Sequence, residues 1–145
     1  MLRDNLIDKT KIVNGIIYSY DVGRSKWLSI GRFNVQYGIN HRDISTSRWM
    51  AMAPGIYSNN VGFRMLHKGT ITTVIIQTKN ISFCNFIIRD LNSTDMLNLS
   101  LLEETSRLFE TNLDFAETDV LKCYLDIEMN KVDFPFINIE YAFRL

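Results

Sequence analysis

An all-β fold, an antiparallel β-sandwich of jelly-roll type, is what this sequence predicts, and three observations carry the prediction. Apolar and polar residues alternate with a period of two through most of the chain, as one-sided burial on a pleated sheet requires. Aromatics make up 12% of the residues, and β-branched residues recur in the apolar runs, a pairing that suits strands better than helices. Turn-forming Gly, Asn, Asp and Ser break these runs at short intervals, which gives about eight to ten short strands.

Taken in order, residues 1 to 10 are polar with an apolar trio, Leu2, Leu6 and Ile7, whose spacing could make one helical turn or a docking arm that contacts a neighbouring protein. Residues 1 to 20 are accordingly read as an N-terminal docking arm with the first strand, and residues 21 to 145 as the sandwich domain. From Lys11 the pattern turns strand-like through Ile12, Val13, Ile16, Ile17, Tyr18 and Tyr20. A turn at Asp21-Val22-Gly23-Arg24 precedes the strand Lys26 to Ile30. Phe33, Val35 and Tyr37 then share one face, which predicts a half-buried antiparallel strand. Gly38 to Ser47 reads as a polar loop. Arg48 to Met52 is short and apolar and ends at the turn signal Pro54-Gly55. Ser58-Asn59-Asn60 marks a loop before Val61 to Met65.

The clearest strand is Thr70 to Thr78, with Ile71, Thr73 and Ile75 on one face and Thr72, Val74 and Ile76 on the other. Ser82 to Leu91 and Leu97 to Leu102 follow the same logic. Glu103 to Asn112 is compatible with a helical turn. Val120 to Ile127 sets Leu121, Cys123, Leu125 and Ile127 on one face, and Pro135 to Phe143 closes the chain with Ile137, Ile139, Tyr141 and Phe143 inward. The expected core is Ile71, Val74, Ile76, Phe86, Leu121, Cys123, Leu125, Ile137, Ile139 and Phe143.

Composition narrows the function. With 145 residues and 16.9 kDa the chain holds one domain. Its formal net charge is +0 and its pI about 6.7, so it lacks the basic footprint that nucleic acid or an anionic membrane selects. No apolar stretch approaches the roughly 20 residues of a membrane span. The N-terminus has no hydrophobic signal core, which points to synthesis in a cytoplasm. The triplets at Asn80, Asn92 and Asn98 then read as chance glycosylation matches. Cys84 and Cys123 fit no metal or redox spacing and read as reduced core thiols, with a disulfide open only if their strands are neighbours.

Catalytic chemistry finds little purchase. His41 and His67 stand apart from any nucleophile motif, and no Gly-rich phosphate loop occurs. Asp114, Glu117 and Asp119 could supply oxygen ligands to Ca²⁺, but a turn that caps the next strand accounts for them more simply. Trp27 and Trp49 could stack on sugar rings, but each sits beside apolar neighbours as a core or inter-subunit residue would. The expectation is no enzyme, no cofactor and no metal.

Several short runs carry a resemblance. Lys26-Trp27-Leu28-Ser29-Ile30, Arg48-Trp49-Met50, Ser58-Asn59-Asn60, Gly62-Phe63-Arg64-Met65-Leu66, Thr70-Ile71-Thr72 and Ile139-Glu140-Tyr141-Ala142-Phe143-Arg144 occur in that order. Together they resemble a module of tailed-bacteriophage virion proteins, over roughly Gly23 to Leu145. That module forms β-sandwich tips on capsid decoration proteins, head fibres and some tail fibres, generally as trimers, and has no common catalytic residues. It usually follows a collagen-like or coiled stalk. Only about 20 residues precede it here, which favours a compact decoration or auxiliary protein. The resemblance implies a structural protein on the capsid surface of the virion. Its partners would be further copies of itself, as a trimer, and the major capsid protein or another virion protein. Two other readings compete: a receptor-binding or fibre-tip module that recognises a host surface glycan or protein, and a non-viral carbohydrate-binding sandwich.

Overall fold

A computed structural model describes residues 10–52, 56–59 and 61–145. The proposed arm contacts Leu2, Leu6 and Ile7 and the Pro54-Gly55 turn lie outside the described residues. Within them every regular element is a strand, and every pairing is antiparallel.

The first three strands form a sheet of their own: β1 (Thr10–Val13), β2 (Ile16–Asp21) and β3 (Lys26–Ser29), in that order. Asn14 and Gly15 join β1 to β2 with φ of 51° and 79°, the two positive values that a tight type I′ hairpin demands and that Asn-Gly meets at least strain. The remaining strands make a nine-stranded sheet. They are β4 (Phe33–Gly38), β5 (Arg48–Trp49), β6 (Ala51–Met52), β7 (Ile56–Tyr57), β8 (Phe63–Arg64), β9 (Gly69–Arg89), β10 (Asp95–Phe115), β11 (Val120–Met129) and β12 (Phe136–Phe143).

One long hairpin organises this sheet. β9 and β10 are each 21 residues long and pair from end to end. Asp90 closes their turn, its carboxylate accepting from the backbone N–H of Asn92 and Thr94 at 2.9 Å. The other edge of β9 is divided, with β12 along Gly69 to Gln77 and β11 along Phe83 to Arg89. Between these stretches Thr78 to Ile81 stand opposite Thr105 alone, so the ladder is broken and the hairpin turns a corner. Bulges at such positions let a strand pass from one sheet to another. Asn80 fastens the corner to the β11–β12 connection, donating to Lys131 O at 2.7 Å and accepting from the Asp133 N–H at 2.8 Å.

The two branches meet again on the far side. β5 pairs with β11, and β6 with β4, so the short run Arg48 to Met52 leads from one sheet into the other. The result is a flattened, nearly closed ring of strands around one core. Phe86, Ile88, Leu121, Cys123 and Leu125 fill it from one side and Val74, Ile76, Ile137, Ile139 and Tyr37 from the other. The Tyr37 hydroxyl reaches across to donate to Leu121 O at 2.5 Å, which satisfies a phenol that burial would otherwise penalise.

Three sequence expectations change. Glu103 to Asn112 holds no helical turn but continues β10, because its residues pair with β9 on one side. Ile71 shares the inner face with Val74 and Ile76, since a register shift at Thr72 flips the alternation there. Phe143 is half-buried rather than core, its ring tilted against those of Phe33 and His67.

Candidate functional site: an open sheet edge and a cleft

The first feature is an edge. β10 pairs with β9 on one side only, and no described strand covers the other. Its final stretch is shielded by the small sheet. Arg24 donates to Thr111 O at 2.8 Å and Lys26 pairs with Asp114 at 2.8 Å. Upstream of Thr111 no described strand pairs with this edge. Leu102 and Leu108, each 58% exposed, project from it on the outer face of the sheets, since their cross-strand partners Phe83 and Ile75 also face outward. Glu103, at the corner, has φ of 58°. The side chain of Glu104 folds back to accept from the Leu102 N–H at 3.3 Å, so an edge donor is capped by its own strand.

The second feature is a cleft of about 610 Å³ on the outer face. Its floor is a cross-strand row in which Gln77 pairs with Phe136, Phe136 with Gly38, Gly38 with Ala51, and Ala51 with Tyr57. Gly38 and Ala51 are small, so the floor sinks between the rings of Phe136 and Tyr57. A Cβ on Gly38 would crowd Pro135 O at 3.3 Å and the Phe136 ring at 3.4 Å. Gln36, Asn40, His41 and Arg48 rim the cleft. Beside it runs a ladder of amides, with Gln36 donating to Asn138 and Asn138 to Asn34, each at 3.1 Å.

The residues singled out from sequence are scattered. Asp114 is held by Lys26, Thr70 and Arg144. Burial raises its pKa, but the hydrogen bonds from Lys26 and Thr70 and the charges of Arg144 and Lys26 outweigh that and hold the carboxyl below its usual range. Asp119 caps the β10–β11 turn by accepting from the Ala116 N–H at 2.7 Å, and Glu117 is exposed. No cluster with metal-ligand character occurs among the described residues. His41 lines the cleft, whereas His67 lies against Phe143.

Neither tryptophan presents a bare face. Trp27 meets Tyr20 edge-on beneath the Lys11 ammonium, 4.3 Å from the ring centre. Trp49 meets Tyr124 edge-on at 5.2 Å, and Arg89 lies 4.3 Å over Tyr124 and 5.3 Å over Trp49. Cys84 and Cys123 are both buried free thiols. Sequence reasoning missed the cleft because its parts come from six separate strands and the loops beside them. It missed the edge because strand order is not written in alternation.

No protein-family model and no curated protein matches the sequence. Among solved structures, the fold has a distant likeness to the crystal structure of FLHE, at 12% identity and a TM-score of 0.39, over 77% of this chain and 97% of that one. A second likeness, to the structure of infectious bursal disease virus Gx strain, has 8% identity and a TM-score of 0.37. It covers 92% of this chain and 43% of the viral one. Likenesses this low carry no functional argument.

Proposed function

We propose that this chain is a non-catalytic structural protein of a tailed-bacteriophage virion that seats on the capsid surface as a decoration or auxiliary protein. On this reading it folds as a jelly-roll-type sandwich and self-associates, as the trimeric modules it resembles do. The observation that supports it best is the edge of β10 that no described strand covers, with Leu102 and Leu108 exposed along it. A long unpaired edge is a hazard in a solitary protein and an asset in one that works by assembly. The resembling runs supply the class of assembly. Lys26–Ser29 forms β3, Phe63–Arg64 forms β8 and Phe136–Phe143 forms β12.

The test is reconstitution. Purified chain mixed with capsid shells that lack it should cosediment with them, in an amount that saturates at a fixed ratio to the shell protein. A chain without residues 1 to 10, and so without Leu2, Leu6 and Ile7, should keep its fold and lose this binding. No saturable binding of the intact chain to any such shell would overturn the proposal.

The cleft supports a second reading, recognition of a host surface glycan. Two aromatic walls over a small floor suit the apolar face of a pyranose, and the amides around it suit hydroxyl groups. A glycan array with the intact chain and with Tyr57→Ala separates this reading from the first. It stands only if specific sugars bind and the substitution abolishes that binding.

A further inference from the structure

We propose that Arg89 and Lys122, over a floor of Trp49 and Tyr124, form a binding site for a single oxyanion group: a carboxylate, phosphate or sulfate. The site lies on the outer face of β9, β11 and β5, shares no residue with the cleft, and does not rest on the virion reading.

Strand register brings the two cations together. Arg89 on β9 and Lys122 on β11 stand directly opposite each other, so their Cβ atoms lie about 5 Å apart. Like charges in that arrangement destabilise a ladder unless an opposite charge joins them. One carboxylate offsets one of the two: Asp95, opposite Arg89 on β10, accepts from Arg89 Nε at 2.8 Å. The other nearby acids are engaged elsewhere. Asp90 accepts from the backbone N–H groups of its own turn, and Asp126 and Glu128 accept from Ser47 and Asn85. Two positive charges therefore face a single negative one.

Lys122 carries the inference furthest. It is only 8% exposed, yet its ammonium has no hydrogen-bond or ion-pair partner among the described residues and meets only the Trp49 ring, 5.7 Å from the ring centre. A buried charge is costly without a partner, and an aromatic face lowers that cost without cancelling the charge. Gly62 makes room for the stem, since a Cβ there would come within 2.9 Å of Lys122 Cγ and 2.2 Å of Val120 Cγ1. Arg89 is held in the same manner, 4.3 Å over Tyr124 and 5.3 Å over Trp49. Because Asp95 takes Nε, the two terminal nitrogens of the guanidinium keep their donors, and such a fork matches two oxygens of one oxyanion. The rings fix both cations in place and leave the donors to a ligand.

Phosphate, sulfate and acetate, each titrated into the intact chain against chloride at equal ionic strength, are the probes. Nuclear magnetic resonance of the two tryptophan indole N–H groups reads the result. The Trp49 signal should shift saturably with at least one of the three anions. The Trp27 signal, beneath the Lys11 ammonium alone, serves as the control and should not follow it. Lys122→Met keeps the apolar stem and should weaken binding at least about tenfold, the worth of one charge-assisted partner. Asp95→Asn keeps an acceptor for Arg89 Nε but removes the competing charge, so it should tighten binding severalfold. Far-UV circular dichroism on each variant checks that the fold is retained.

The proposal is overturned if none of the three anions gives a saturable shift, or if both tryptophans shift alike. A Lys122→Met chain that folds and binds as the intact chain does overturns it as well. If that variant fails to fold, Asp95→Asn decides: tighter binding upholds the site, and unchanged or weaker binding ends it. Among the results that uphold it, a response to acetate alone assigns a carboxylate as the ligand group, and a response to phosphate or sulfate assigns a tetrahedral one.

Discussion

At the scale of single residues, the ring of strands is pinned by Ser58, which is fully buried. Its hydroxyl lies 2.7 Å from Met50 O and 3.0 Å from Cys123 O, and accepts from the Cys123 N–H at 3.3 Å. One small polar side chain thus ties β11 to the segment that crosses between the sheets. Ser58→Ala should cost about 1–3 kcal/mol, since it strands buried backbone groups, and urea melts would read that loss directly. The cysteines make a second case. Burial pushes the Cys84 thiol up to about 12, helped by the carboxylates of Glu128 and Asp126, and burial also raises Cys123. Both should therefore resist a maleimide reagent at neutral pH in the folded protein and react once urea unfolds it. Fast labelling under native conditions would contradict the burial of both.

Between elements, the small sheet is fastened to the large one by charge. Asp114 on β10 accepts from Lys26 on β3, and Asp21 at the end of β2 orients Arg24 toward the carbonyls of Thr111 and Thr72. Both carboxyls titrate below the ordinary value of 3.8, because their hydrogen bonds and cationic neighbours outweigh the upward pull of burial. A carboxyl with a lowered folded pKa binds fewer protons folded than unfolded. Its stabilisation is therefore present above about pH 4 and is lost as the pH falls through the folded value. Thermal melts from neutral pH downward should decline below that point, and Asp114→Asn should flatten the decline. An unchanged slope in the variant would remove Asp114 from the account. The sequence could mark Asp114 as part of an acidic cluster, but not this role, because Lys26, Thr70 and Arg144 approach it from three distant points in the chain.

For the whole molecule, the all-β antiparallel class was legible from alternation together with the β-branched runs and the regular turn residues. Nine of the ten residues expected in the core are fully buried, from Ile71 to Ile139. Alternation worked there because those strands have one dry face. It failed at β10, where leucines on both faces are interrupted by Glu103, Glu104 and Arg107 at the corner. Local pattern there resembles a helical turn, and only pairing with β9 makes it a strand. The cleft was illegible for a related reason. Gly38, Ala51, Tyr57, Gln77 and Phe136 become neighbours through strand order, which no local signal encodes.

The divided edge of β9 also sets a timetable. β9 and β10 are joined by a short turn and can meet early, whereas β12 follows the other described strands in chain order and must pair with both β4 and β9 to complete the ring. Until β12 docks, the inner row of Val74 and Ile76 lacks its neighbours Ile139 and Ile137. Closure of the ring links residues as far apart as Phe33 and Tyr141, the kind of distant pairing that slows folding. β12 should therefore take part in the rate-limiting step. Ile139→Ala should slow refolding as well as speed unfolding, with a clearly fractional φ-value in stopped-flow chevrons. A φ-value near zero would mean that the ring closes only after the barrier has been crossed.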